Sequence, residues 1–435
     1  MQLNKIKFII MLFPLLLTGC SLNTSIDALL TPPKLSAQQE QIYSALKNYT
    51  GPNISLKYPR SGENLSAFIV DDIDNDSQEE AIVFYKKNAI KTEDNSLRIN
   101  ILDQEDSVWR SVYDRAADGN EVEQVMITKL GEHDRVNIVV GYSLINQSEK
   151  VVSIYDYSDG NLNTTFENNY YSLFDAVDLN GDGKKEFFTV LNQSASRRAS
   201  AAVYYLAENG NYLRSSVELN ESYTNYRNLT YGEFTDDLKA VYLDAETSSG
   251  TIVTEILSVD SENNLSVVFS PDLEKEETMR PSAYESTDID GDGFVEIPVP
   301  VSCPGYDESE DDRIFLTKWY ELKNEKLERK YLSYMTITDG YTFIIPEKWY
   351  DHVTVIVSSI DNEVKICSYD KDPEDCVEIL RIKTVSESAE TDKLWNDGYD
   401  LLHSRGDKMF FIKVNKENEF VDSPAEIMMK FIFED

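Results

Sequence analysis

The sequence predicts a mainly β protein: a β-propeller of about five four-stranded blades, roughly five to seven being compatible with the length, followed by a small α+β C-terminal domain. Short strand-like runs come in fours, and the group of four recurs every fifty-odd residues. Each such sheet is too small to bury both faces alone, so the units must stack around an axis. An acidic loop pattern recurs in register with that period. The composition agrees, with 11% aromatic residues and 26 Tyr among 435 residues and few Gly and Pro. A large sandwich or barrel carrying a few metal loops is the rival, but sandwich strands seldom keep so even a spacing.

The N-terminus carries Lys5 and Lys7, an apolar run from Phe8 to Leu17, and then Leu17-Thr18-Gly19-Cys20. A basic start, a short apolar core and small residues before a cut make a secretory signal peptide over residues 1–19. The run is shorter than the ~20 apolar residues that span a bilayer. The Leu-Thr-Gly-Cys ending resembles the bacterial lipobox, which implies that Cys20 is lipidated and becomes the first mature residue. Its acyl chains, palmitate among them, then anchor the chain to the cell membrane on the extracytoplasmic side. An ordinary signal peptide with an incidental Cys is the bland alternative.

Residues 20–35 read as a tether stiffened by Pro32-Pro33. A helix follows from Ser36 to Lys47, with Ser36 as N-cap, Gln39 three residues on, and Ile42, Tyr43 and Leu46 on one face. The repeat units then begin at residues 66, 122, 173, 226 and 283. The first contains strand-like runs Ser66–Val70, Ala81–Lys86, Leu97–Leu102 and Trp109–Tyr113. The second has Val122–Thr128, Val136–Tyr142, Val151–Tyr157 and Leu162–Phe166. The third has Leu173–Val177, Phe187–Leu191, Ala201–Leu206 and Leu213–Leu219. The fourth has Tyr226–Tyr231, Leu238–Leu243, Thr251–Val259 and Leu265–Phe269. The fifth has Ala283–Thr287, Val295–Val301, Arg313–Leu322 and Leu327–Tyr331. Helix and repeats fill residues 36–334. Residues 335–435 break the period and read as a separate α+β domain, closed by a helix that starts at Ser423-Pro424 and carries Ile427, Met428 and Phe431.

Three units carry an oxygen-rich loop between their first and second runs. The clearest is Asp288-Ile-Asp290-Gly-Asp292-Gly-Phe294-Val-Glu296. Asp288, Asp290 and Asp292 point inward on a tight turn, the Phe294 carbonyl adds a ligand, and Glu296 closes the cage. The second offers Asp178, Asn180, Asp182, the Lys184 carbonyl and Glu186; the first offers Asp72, Asp74, Asp76, the Gln78 carbonyl and Glu80. Ser77 stands in the first where the others have Gly, which leaves its backbone less free. Hard oxygen donors at this spacing suit Ca²⁺, at two to three structural sites. Like charges about 4 Å apart cost of order 1 kcal/mol even in water, and a cation removes that cost. The alternative is a solvated acidic turn without metal. An EF-hand is excluded, since it needs Glu at position twelve and flanking helices, and Val83, Thr189 and Val299 stand there between strands. Units two and four have short turns instead, Gly131–Asp134 and Gly232–Asp237.

Strand, Asp-x-Asp-x-Asp-Gly-x-x-Glu, strand, over residues 66–331, resembles the FG-GAP and VCBS repeats of integrin-α-type propellers and bacterial surface proteins. Phe-Gly and Gly-Ala-Pro signatures are largely missing, which places the chain nearer the VCBS-like bacterial members. The resemblance implies calcium-braced blades.

A net charge of −37 argues against nucleic acid and anionic surfaces as partners. Cys367 and Cys376 flank a turn between two strand-like runs and can close a disulfide in an exported protein, while Cys303 reads as a small buried residue. His133, His352 and His403 lie far apart, and the chain has no nucleophile elbow, phosphate-cradling loop or His-Glu-x-x-His. The expected function is therefore a lipid-anchored, calcium-stabilised binding or adhesion scaffold at the cell surface, without catalytic activity, with a protein or glycan ligand. The alternatives are an envelope polysaccharide-active enzyme and a structural or sensory subunit of an envelope complex. Convergent carboxylates with shifted pKa values in a cleft would favour the enzyme; a large exposed apolar patch would favour binding.

Overall fold

The computed structural model describes residues 35–435 apart from 89–95, 132–134, 146–147, 208, 236–237, 307–312, 387–390 and 434–435. Cys20, the signal segment, most of the tether and His133 lie outside the described residues. No helix among the described residues is long and apolar enough to cross a membrane.

Helix α1 (Ala37–Thr50) starts as its sequence requires: Ser36 Oγ accepts from the Gln39 N–H at 3.1 Å, and Gln39 Oε1 accepts from the Ser36 N–H at 3.1 Å. Six antiparallel sheets follow among the described residues. The first holds β1 (Ile54–Lys57), β2 (Phe68–Asp71), β3 (Glu80–Lys87), β4 (Leu97–Glu105) and β5 (Val108–Ala116). The second is β6 (Glu121–Thr128), β7 (Asn137–Ser143), β8 (Lys150–Ser158) and β9 (Asn161–Tyr170). The third is β10 (Leu173–Val177), β11 (Glu186–Leu191), β12 (Ser200–Leu206) and β13 (Tyr212–Glu218). The fourth is β14 (Asn225–Thr235), β15 (Leu238–Glu246), β16 (Ile252–Val259) and β17 (Leu265–Phe269).

Sheets two, three and four are four-stranded meanders, as the repeat predicts. The first gains β1, which pairs with the outer half of β3 while β2 pairs with the inner half. The fifth departs more. Its expected opening strand, Ala283–Thr287, is reduced to one bridge between Thr287 and Glu296. Its sheet runs β18 (Glu296–Ser302), β19 (Phe315–Lys323), β20 (Lys326–Thr336), β21 (Tyr341–Ile344) and, last in the chain, β27 (Phe431–Phe433). Residues on both sides of position 335 therefore share one sheet, and Phe431 lies in a strand, not the final helix. The sixth sheet is β22 (Val353–Ser358), β23 (Glu363–Ser368), β24 (Val377–Val385), β25 (Asp400–Arg405) and β26 (Lys408–Val414), with short helices α2 (Thr391–Asn396) and α3 (Pro424–Met428) beside it in sequence.

The core is divided strand by strand according to the two-residue alternation of β structure. In β3, Ile82 and Phe84 pack with Ile138 and Val140 of the second sheet. Val83 and Tyr85, between them, pack on Ile42 and Leu46 of the helix. In β7, Val139 faces the third sheet and joins Phe174 and Phe187. Phe188 and Val203 meet Val241 and Leu243 of the fourth sheet, while Ala240 and Tyr242 meet Ile297 and Leu322 of the fifth. Leu332, Tyr341 and Phe343 continue the stack into the sixth through Ile366, Leu380 and Phe410. Inner strands such as β7 and β16 are thus buried on both faces and are mostly apolar.

Among the described residues one ion pair is fully enclosed. Arg280 Nη2 donates to Asp244 Oδ1 at 2.7 Å, and both side chains are 0% exposed. Asp244 also accepts from Thr254 Oγ1 at 2.8 Å and from the Ser286 N–H at 2.8 Å. The fourth sheet is tied in this way to the segment that enters the third acidic loop.

Candidate metal centre

The three acidic loops share one internal wiring. The first carboxylate clamps the turn: Asp178 accepts from the N–H groups of Gly181 and Gly183 at 2.8 Å each. Asp288 does the same with Gly291 and Gly293, again at 2.8 Å. Asp72 accepts from Asp76 at 3.1 Å and Ser77 at 3.0 Å. The closing Glu turns back on the second residue of its loop. Glu80, Glu186 and Glu296 each accept through Oε2 from Ile73, Leu179 and Ile289 at 2.9, 2.9 and 3.0 Å. These contacts hold the remaining oxygens in a small volume. Where the others have Gly183 and Gly293, Ser77 adopts φ 74°, so the first loop takes the same bend with a residue that does so less readily.

In two loops the carboxylates converge. Oxygens of Asp72, Asp74 and Glu80 all lie within 4.8 Å of one another, as do those of Asp288, Asp290 and Glu296. The second loop has Asn180 in the middle; its Nδ2 donates to Asn263 Oδ1 at 2.9 Å and its Oδ1 accepts from the Asp182 N–H at 3.0 Å.

Electrostatics separates the loops further. Burial pushes the Glu80 carboxyl up to about 8, and the nearby Asp74, Asp103 and Asp76 add to the shift. Glu80 is 1% exposed, and its Oε1 has no hydrogen-bond partner among the described residues. An orphaned carboxylate oxygen facing two further carboxylates fits a hard cation, which would satisfy all of them. Burial raises Glu186 to about 7, helped by Asp182 and Asp178. The third loop holds a protein cation: Lys330 Nζ lies 2.6 Å from Asp292 and 2.7 Å from Glu296 Oε1. Tyr331 Oη donates to Asp290 Oδ2 at 2.6 Å. Burial works against ionisation of Asp290, but Tyr331 and Lys330 outweigh it and hold the carboxyl below its usual range. Burial still raises Glu296 to about 7.

Several of these residues are invisible to motif reading. Glu321 stands opposite Glu296 across the hairpin. Asp103 follows the Ala81–Leu102 pair in the first sheet and so stands beside Glu80. Counting residues across each hairpin would have found both; nothing in the sequence marks Lys330 or Tyr331. The plain turns of the even sheets have a role as well. Gly131 donates to the Lys185 carbonyl at 3.2 Å, and Glu233 donates to the Gly293 carbonyl at 2.7 Å, so each docks on the acidic loop of the following sheet. At that contact a Cβ on Gly232 would lie 2.8 Å from Val295 N and Cγ2.

A crevice of about 690 Å³ opens beside the first loop, with Asp71, Asp72, Asn75, Lys129, Lys184 and Lys185 in its lining. Its walls mix polar and apolar surface, Ile127 and Val136 among the latter. The Cys367 and Cys376 thiols are free; burial pushes Cys367 up to about 12, with Cys376 as its hydrogen-bonding neighbour. Cys303 is buried.

No family model matches the chain, and no curated protein matches it. Among solved structures it is similar to the periplasmic gluconolactonase of Pseudomonas aeruginosa, with 11% identity, TM-score 0.32, and 74% of this chain covering 87% of that one. It is also similar to a GH32 beta-fructofuranosidase of Bombyx mori, with 10% identity, TM-score 0.28, and 72% of each chain covered. A mutant of that enzyme in complex with sucrose gives 9% identity and TM-score 0.27, with 70% of this chain covering 72% of that one. All three are enzymes, and the expectation of a binding scaffold without catalytic activity finds no support among them.

Proposed function

We propose that this chain is a lipid-anchored, extracytoplasmic protein of the FG-GAP/VCBS type, a propeller of about five blades that holds calcium and acts on envelope polysaccharide. The observation that carries the reading is the first loop, where oxygens of Asp72, Asp74 and the orphaned Glu80 converge, and where Asp72 also lines the crevice. Carboxylate, amide and ammonium groups around a cleft of that size suit a hydroxyl-rich ligand better than an apolar one. Calcium would be held by Asp72, Asp74, Asp76, the Gln78 carbonyl and Glu80, and in the second loop by Asp178, Asn180, Asp182, the Lys184 carbonyl and Glu186. There it would neutralise the clustered acids and brace each loop against the neighbouring sheet. The Leu-Thr-Gly-Cys sequence supports anchoring through Cys20.

The test is release of reducing ends from purified envelope polysaccharides by the full chain, with and without calcium. Calcium-dependent release that disappears in Glu80→Gln is the expected result. Absence of release from every glycan class at saturating calcium would remove the enzymatic reading.

A further inference from the structure

The third acidic loop already contains a cation, and the fold delivers it by a specific device. Strands β19 and β20 pair regularly from Lys323–Lys326 to Tyr320–Arg329; the register then slips, and Trp319 pairs with Tyr331. Lys330 is the residue left over in that bulge. A bulged residue is re-aimed relative to the regular alternation. Here it points into the loop, with Nζ 3.1 Å from Asp290 Oδ2, 2.6 Å from Asp292 Oδ2, 2.7 Å from Glu296 Oε1 and 3.6 Å from Glu321 Oε2. Its side chain is 13% exposed.

The first sheet has a bulge at the matching place. Ile101 pairs with Tyr113 and Leu102 with Ser111, which leaves out Val112. Counted from the closing Glu, Val112 holds the position of Lys330. The chemical consequence falls on one oxygen. Glu80 and Glu296 both spend Oε2 on the backbone of their own loop. Oε1 of Glu296 meets Lys330 at 2.7 Å, and Oε1 of Glu80 has no hydrogen-bond partner among the described residues. In the third sheet β12 and β13 pair without a slip, so no residue is extruded there.

We propose that Lys330 is the resident cation of the third loop, so that Asp288–Glu296 closes without calcium, and that calcium dependence belongs to the loops without such a lysine, the first above all. The second half rests on the calcium reading above; the first half does not. An ammonium with three donors can serve three carboxylates at once, and a cation that displaced it would leave a largely enclosed lysine without these partners.

Calcium stoichiometry of the full chain, measured by equilibrium dialysis, tests the idea with four variants. Glu80→Gln should lose one ion and Glu296→Gln should lose none. Lys330→Met should gain one, and Lys330→Arg, which keeps the charge, should gain none. Lys330→Met should also melt lower than wild type in chelator and recover with calcium. Terbium luminescence should be stronger in Lys330→Met than in wild type, and the added part should vanish when Tyr331→Phe is combined with it. Loss of an ion in Glu296→Gln, or no gain in Lys330→Met that is folded by circular dichroism, would overturn the proposal. Wild type that binds no calcium while Lys330→Met binds one would uphold Lys330 as the resident cation and overturn the calcium reading of the first loop.

Discussion

The N–H of Glu233 donates to the carbonyl of Gly293 across 2.7 Å, joining the plain turn of the fourth sheet to the acidic loop of the fifth. Gly131 and Lys185 repeat the relationship between the second and third sheets. The second and third acidic loops are therefore joints between sheets as well as turns within them.

This joint predicts an intolerant glycine. A methyl group at Gly232 would sit 2.8 Å from backbone and side-chain atoms of Val295. Gly232→Ala should cost about 1–3 kcal/mol, the usual range for overpacking. Thermal melts of the two proteins measure it, and equal midpoints would contradict the contact.

The enclosed pair predicts an asymmetric double-mutant cycle. Asp244→Ala strands the Arg280 guanidinium in a 0% exposed position and should cost about 3–5 kcal/mol. Asp244→Leu combined with Arg280→Met removes both charges and should cost less than Asp244→Ala. Chemical denaturation of the set decides this, and a larger loss in the double variant counts against the pair as the reason.

Metal removal comes next. Chelation should lower the melting midpoint, and added calcium should restore it with an affinity of about 10⁻⁴ to 10⁻³ M, typical of extracellular modules. Glu80→Gln should blunt most of the response. A melt indifferent to thorough chelation would eliminate a bracing role for calcium.

The pH response of the metal-free protein has a definite sign. Glu80 titrates near 8 in the fold against an ordinary 4.5, and Glu186 and Glu296 near 7, because burial favours their neutral forms. Between the ordinary value and the raised one, the folded chain holds more protons than the unfolded chain. Stability in chelator should therefore fall as pH rises from about 5 to 8, and Glu80→Gln should flatten the slope. With calcium present the decline should shrink, since the ion favours the charged carboxylates. Melting curves across that range suffice, and stability that rises with pH in chelator would refute the assignment.

Much of the chain was legible from local rules. Ser36 and Gln39 announce a capping box, and the structure contains it. The apolar runs from Ala81 to Leu265 become strands within a few residues of their expected ends, because each short run is bounded by turn residues and must pair to satisfy its backbone. The loops at Asp72, Asp178 and Asp288 also fold as their spacing demands, since one carboxylate clamping successive N–H groups is an interaction within nine residues. The tertiary structure decided what depends on partners distant in sequence. Residues 341–344 and 431–433 complete the fifth sheet because its edge is open after β20, and no local pattern shows which edge a strand will take. Lys330 enters the third loop through a bulge 34 residues past Glu296, while Val112 leaves the first loop without a lysine. A one-residue slip in register changes where a side chain points, and register is fixed by packing across the hairpin, so three loops of like sequence acquire different charge environments only when the chain has folded.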